Sequence, residues 1–522
     1  MFSVLIRHLL KPYDILFLLD IIFSAFLISD NKALYKLSFR TRRSKNLIYK
    51  KRKKSRALIF SLILLLLVSQ ILVTNYILGN SNPLELYKES TIEFANVYGI
   101  LPLYAMEVYD LISPDSFKIT EVVDEVELKP QHTIDPEALV EKQSNIIAIQ
   151  LESFDAKLID YEYQGKEITP FINKLVKEGL YFNNFYAQHI NGSFDADLSF
   201  LTSLYPISRN YAFSENDFSD IDTLAKTLKE NSYQTLAFHG NDKSFFSRDK
   251  AYPSLGFDKF YSFEDYSLDN LQMEIEANLG INDYDFFYQS LDMLNVAEEP
   301  FFAYFITLSS HTPFDFYPLD ESKEEFSEIE RRLVRDYFNS IAFLDKSLEM
   351  FFTGLEEKGL MEDTLFILYG DHESDIETDL YSSSRNFNLK RNVKGPENVP
   401  LLIIHPDIEK GKNKNSGSFT DLAPTILDIL GIEEESETFA GKSLLADGDW
   451  PVLFLHENPQ ILYNKQLFVK NLEGFERIGY LDSAKDDNIS ISEDKKVWID
   501  QVIKYMRNVI FERNQNILRG EE

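Results

Sequence analysis

A carboxylate and an imidazole stand side by side in Tyr369-Gly370-Asp371-His372, directly after the apolar run 364–368. Such a pair offers an oxygen and a nitrogen ligand where a buried strand ends, which is how α/β enzymes build metal sites. Alone the turn says little, because a Gly-Asp turn followed by a solvated histidine is common. Residues of matching chemistry occupy comparable places elsewhere. Glu152 follows the apolar run 146–151, where a cap on the next helix is an equal reading. Ser193 stands in the small-residue turn Asn191-Gly192-Ser193, ahead of Leu198, Leu201 and Leu204 at helical spacing. A helix N-terminus there favours an anion, although capping is the commonest task of a serine in that place. His239 follows the run 235–238, Arg248 lies shortly beyond it, and His311 follows the run 301–308.

Together these side chains suit phosphoryl chemistry. A hydroxyl that attacks phosphorus needs a metal or a base to activate it, and oxygen and nitrogen ligands without thiolate fit Mn²⁺, Mg²⁺ or Zn²⁺. Arginine can clamp a phosphate through two N–H groups, and histidine can donate a proton to a departing oxygen. Taken singly, each of these residues reads better as a satisfied loop residue. The chain has no Gly-rich phosphate loop, so nucleotide binding is not expected.

The elements that must position the residues are apolar runs of strand length, 146–151, 235–238, 301–307, 364–369 and 400–404, alternating with helical patterns. That alternation predicts an α/β fold with a central, mostly parallel sheet flanked by helices, whose ligands bind at the carboxyl ends of the strands. The catalytic domain is expected over 145–450. A small C-terminal subdomain with a terminal amphipathic helix around 495–513 is expected over 451–522.

At 522 residues the chain is long enough for a substantial core plus a smaller part. It has no cysteine, which excludes disulfides and thiolate-ligated metals. The formal charge of −31 is uneven, because 31–56 holds twelve Lys or Arg and no Asp or Glu. The remaining acidic body would be repelled by nucleic acid, and the basic stretch points to a membrane. Residues 57–78 are free of charge and, as a helix, would span about 33 Å. A weaker spanning candidate, 14–30, contains Asp20. A basic loop 31–56 between them stays in the cytoplasm, which puts everything after Leu78 outside. Residues 80–144, broken by Pro83, Pro102, Pro114 and Pro130, read as a helical linker arm between the membrane region 1–79 and the catalytic domain.

Several segments in order resemble the lipoteichoic acid synthases, membrane-anchored phosphoglycerol transferases of the sulfatase and alkaline phosphatase superfamily. They are Ile149-Gln150-Leu151-Glu152-Ser153, Thr169-Pro170-Phe171-Ile172-Asn173, Ser193-Phe194-Asp195-Ala196-Asp197, Phe238-His239-Gly240-Asn241 with Arg248-Asp249, Ser310-His311-Thr312-Pro313-Phe314, Tyr369-Gly370-Asp371-His372 and Asp421-Leu422-Ala423-Pro424-Thr425. The resemblance implies one divalent ion, usually manganese, held by Glu152, Ser193, Asp371 and His372. It also implies that His239, Arg248 and His311 bind the glycerophosphate group, with Ser193 as nucleophile and His311 as a second catalytic group. The implied donor is phosphatidylglycerol and the implied acceptor a glycolipid or polyglycerophosphate chain, at the outer face of a Gram-positive cell membrane. Alternatives on the same scaffold are a phosphoethanolamine transferase, a phosphodiesterase, a phosphatase, or an inactive membrane-tethered paralogue. Two departures stand out. Gly192-Ser193 replaces the family's Lys-Thr, and at most two spanning helices replace five, so an N-terminally shortened membrane part is expected.

Overall fold

Seven consecutive buried residues, Asn145–Leu151, form β1 at the centre of an eight-stranded sheet. The other strands are β2 (Leu180–Phe182), β3 (Gln234–His239), β4 (Lys259–Tyr261), β5 (Phe301–Ile306), β6 (Thr364–Gly370), β7 (Leu401–Ile404) and β8 (Gly411–Asn413), in the spatial order β8-β2-β7-β6-β1-β5-β3-β4. All the apolar runs noted in the sequence are therefore strands. In the central register Ile146 lies between Phe302 of β5 and Leu365 of β6, both in parallel pairing. Only β7 opposes the rest, pairing antiparallel with β6 and β2. The expected mostly parallel sheet is thus a mixed sheet with one reversed strand.

The structure, a computed structural model, describes residues 138–506 apart from 142, 208–211, 216, 274–278, 319–324, 384–386, 390–393, 434–437, 447–449, 457, 472–473 and 482–489. It also describes the backbone of the terminal helix to 519, and Tyr87, Phe94, Tyr98, Pro102, Leu103 and Met106, which are helical. The chain divides into units 1–122 and 123–522. In the first, Phe94 packs against Tyr87 and Tyr98, with ring centroids 5.5 and 4.7 Å away. The candidate membrane helices 14–30 and 57–78 and the basic loop 31–56 lie outside the described residues. Among the described residues no helix is long and apolar enough to cross a membrane.

Helices cover both faces of the sheet because its strands are apolar on both. From β1, Ile146 and Ala148 enter one core with α2 (Phe194–Thr202), α3 (Leu224–Glu230), α4 (Arg248–Leu255), α7 (Leu422–Ile429) and the start of α8 (Glu493–Arg519). Ile147, Ile149 and Leu151 enter the other with α1 (Pro170–Glu178), α5 (Asp283–Leu294) and α6 (Arg332–Glu357). The alternation follows from the two-residue period of a strand. A second, five-stranded antiparallel sheet is built from Val452–Phe454, Gln460–Tyr463, Gln466–Asn471 and Gly474–Leu481, with Phe387–Leu389 at its edge.

One helix end is capped from outside its own segment. Asp345 of α6 accepts the Phe171 and Ile172 N–H groups of α1 at 3.0 and 2.8 Å. Burial, with Glu349 and Glu167 nearby, pushes the Asp345 pKa up to about 7. The folded state therefore holds this proton where the unfolded chain has lost it, so stability falls as pH rises from about 4 to about 7. Asp345→Asn is expected to flatten that fall, measured as urea midpoints at pH 5 and pH 7.5. An undiminished slope would show that the carboxyl is ionised throughout.

Candidate active site

Leu151 and Gly370 are paired residues at the carboxyl ends of adjacent strands, so Glu152 and Asp371 leave the sheet at one level. The Asp371 N–H closes the junction on the Leu151 carbonyl at 3.1 Å. A Cβ at position 370 would lie 2.6 Å from the Phe154 carbonyl oxygen, so only glycine lets the two turns approach. Ser153 takes a left-handed conformation, φ 52°, a strained state that recurs at functional turns. Its N–H donates to Asp371 Oδ1 at 2.8 Å and its hydroxyl to Glu152 Oε1 at 2.9 Å.

His372 completes the group. Its Nε2 lies 3.3 Å from Glu152 Oε1, 3.6 Å from Asp371 Oδ2 and 3.3 Å from Ser193 Oγ. Its Nδ1 faces the Glu373 carbonyl at 2.9 Å. A carbonyl only accepts, so Nδ1 carries a proton and Nε2 is the nitrogen that faces the carboxylates. Asp371 is buried, yet its Oδ2 has no hydrogen-bond partner among the described residues. Burial, and then the Glu152 carboxylate, push the Asp371 pKa well up. Burial raises Glu152 too, but the His372 imidazole prevails and brings it down to about 2. For His372 burial favours the neutral ring, and the Asp371 and Glu152 carboxylates overcome it and raise the pKa. Two buried carboxylates, one of them with an orphaned oxygen, and an imidazole nitrogen turned to one point fit a divalent cation of the oxygen- and nitrogen-binding kind.

Ser193 enters this group from the N-cap position of α2 and makes no capping bond with its side chain. The turn ahead of it is held by Asp195, whose Oδ2 accepts the Ile190 and Asn191 N–H groups at 2.8 and 2.6 Å. Two residues on, Asp197 accepts Arg248 Nε at 2.7 Å and the Tyr252 hydroxyl at 2.8 Å. Asp197 is 0% and Arg248 2% exposed, and the ion pair holds the guanidinium at the cavity wall. His239 and His311 repeat the pattern of His372, with Nδ1 on the Ile306 carbonyl at 3.1 Å and the Thr312 carbonyl at 2.7 Å. Burial, then the Arg248 charge, lower the His239 pKa to about 3, so this ring is neutral. The loop bearing His311 is anchored by Asp283, which accepts the Leu308 and Ser309 N–H groups at 2.8 and 3.0 Å.

A cavity of about 390 Å³ is lined by Glu152, Ser193, His239, Arg248, His311 and His372. Asp371 is in contact with this set through His372 and lies beneath it. All seven residues singled out in the sequence are therefore brought together. The cavity also has walls the sequence reading missed. Phe245 and Phe246 line it, the second with its ring 5.5 Å from the Arg248 guanidinium carbon. His189 lines it as well, with its Nδ1 3.3 Å from the Glu397 carboxylate. Phe245 and Phe246 had a usable signal, two aromatics just before Arg248. His189 had none, because the strand ahead of it, Phe185–Tyr186, is only two residues long.

Fold and site define a class. A family model described as sulfatase matches residues 144–432, and the chain belongs to the sulfatase family. Within it the chain is similar to lipoteichoic acid synthases. It is 32% identical to lipoteichoic acid synthase 2 of Bacillus subtilis over 376 residues, 66% of this chain and 55% of that protein. It is 31% identical to the lipoteichoic acid synthase of Staphylococcus aureus over 325 residues, 59% of this chain and 48% of that protein. The chain spans about half the length of these relatives. The crystal structure of a lipoteichoic acid synthase from Listeria monocytogenes matches with a TM-score of 0.63 and 25% identity, covering 73% of this chain and 95% of that one.

Proposed function

We propose that the chain is a phosphoglycerol transferase that moves a glycerophosphate group from phosphatidylglycerol to a glycolipid or growing polyglycerophosphate chain. The observation that carries the reading is the approach of Ser193 Oγ to His372 Nε2 at 3.3 Å, beside Glu152 and above Asp371. Similarity to lipoteichoic acid synthases supports the choice of substrate class.

Ser193 Oγ attacks the phosphorus of the donor, the bond to the diacylglycerol oxygen breaks, and a glycerophosphoserine remains. An acceptor hydroxyl then attacks the same phosphorus and restores the serine. Glu152, Ser193, Asp371 and His372 would hold a divalent ion of the Mn²⁺ kind, which as a Lewis acid would favour the ionised serine and offset phosphoryl charge. Arg248, kept in place by Asp197, presents its remaining N–H donors to the phosphoryl oxygens. His311, on a wall with its Nδ1 already bonded, is placed to hold or pass a proton through Nε2. Asp195 and the α2 N-terminus keep Ser193 facing the group it attacks.

Incubation of the purified full chain with labelled phosphatidylglycerol, Mn²⁺ and a glycolipid acceptor tests the reading. Labelled diacylglycerol and a glycerophosphate-bearing glycolipid are the expected products. Free glycerol phosphate alone would make the enzyme a hydrolase, and turnover of phosphatidylethanolamine alone would change the head group. Chelation is expected to lower the transfer rate by at least about 10²-fold, with recovery on added Mn²⁺. A rate untouched by chelator would remove the ion from the mechanism.

A further inference from the structure

Two histidines lie face to face at the cavity wall, and only one belongs to the group around Ser193. His189 stacks on His372 with ring centroids 4.3 Å apart and planes 16° from parallel. Its Nδ1 is 3.3 Å from both oxygens of Glu397. Glu397 also accepts the Glu373 N–H at 2.9 Å and the Lys394 ammonium at 2.8 Å. Its own carbonyl takes the Ala187 N–H at 3.0 Å. One buried carboxylate residue thus ties the segment carrying His189 to the residue that follows His372.

Both rings hang by Nδ1 from the same wall, His372 from the Glu373 carbonyl and His189 from the Glu397 carboxylate. With that edge fixed and the faces in contact, His372 cannot turn about its Cβ–Cγ bond without driving into His189, and packed interiors yield little to such motion. Its Nε2 is thereby kept at 3.3 Å from both Glu152 Oε1 and Ser193 Oγ. An imidazole lone pair lies in its own ring plane, so the nitrogens of two stacked rings direct their lone pairs in separate planes. The second ring is therefore unsuited to ligate the same ion.

We propose that His189 is a positioning residue whose ring face keeps His372 turned so that Nε2 meets the divalent ion. This rests on reading Glu152, Asp371 and His372 as the metal set. Its test is the Mn²⁺ affinity of the full chain, measured by competition with a fluorescent chelator in the parent, H189A and H189F. H189A is expected to bind Mn²⁺ about 10- to 100-fold more weakly, as when other groups that orient a metal ligand are lost. H189F keeps a ring face without nitrogens and is expected to stay within about threefold of the parent. Thermal midpoints in chelator are expected to agree among the three proteins. Parent affinity in H189A overturns the proposal. So does an H189F as weak as H189A, which would assign the effect to a ring nitrogen, or an H189A midpoint that falls with its affinity, which would assign it to the fold. A parent chain that binds no Mn²⁺ overturns the metal reading and this inference together, an outcome distinct from failure of the variants alone.

Discussion

Ser193→Ala is expected to lose at least about 10³-fold in transfer rate, because the second half-reaction has no phosphoserine to work on. The fold should not notice. Ser193 makes no capping bond with its side chain, and its hydroxyl meets His372 across the cavity. Its loss belongs among substitutions that shift stability by no more than about 0.5 kcal/mol. The measurement is diacylglycerol release from labelled phosphatidylglycerol together with the thermal midpoint. Retained turnover in a folded Ser193→Ala would give the nucleophile's role to another group or to water.

Asp197→Ala carries the largest expected cost in stability. Its carboxylate is fully buried and holds both the buried Arg248 guanidinium and the Tyr252 hydroxyl. Burial disfavours the Arg248 cation, and the Asp197 charge outweighs it and raises the pKa, so removal of Asp197 leaves a charge stranded in the interior. Breaking one side of a buried pair costs about 3–5 kcal/mol. The same change releases Arg248 from the cavity wall and is expected to raise KM for the donor. A denaturant midpoint within error of the parent would show that Arg248 finds another anion or reaches water.

Much of this site could be read from the chain because its chemistry is local. Asp371 and His372 follow an apolar run and a glycine, and that glycine is now explained by the Phe154 carbonyl 2.6 Å from where its Cβ would stand. Glu152, His239 and His311 were found by the same strand-end logic. What stayed hidden depends on pairing over distance. Asp197 meets Arg248 across 51 positions, and His189 meets Glu397 across 208. Neither pairing leaves a periodic trace. The strands β2, β4 and β8, three residues each, are too short for alternation to register. The direction of β7 was unreadable for a different reason. A buried strand presents the same pattern of apolar residues whichever way it runs.

That direction decides which residues can visit the site. Because β7 enters the sheet from the cavity side, its approach, with Glu397 and Asn398, arrives beside the ends of β1 and β6, and its exit is sent to the opposite rim. His405 goes with the exit, beyond Ile404, where its charged surroundings are Asp407 and Asp363, the latter just ahead of β6. In a wholly parallel sheet the assignment would be exchanged, and His405 would sit by Ser193 while Glu397 lay at the far rim. One reversed strand therefore acts as an address. A motif search that looks for functional residues only after strands will overlook this part of the site, and here the residues to inspect are those that come before.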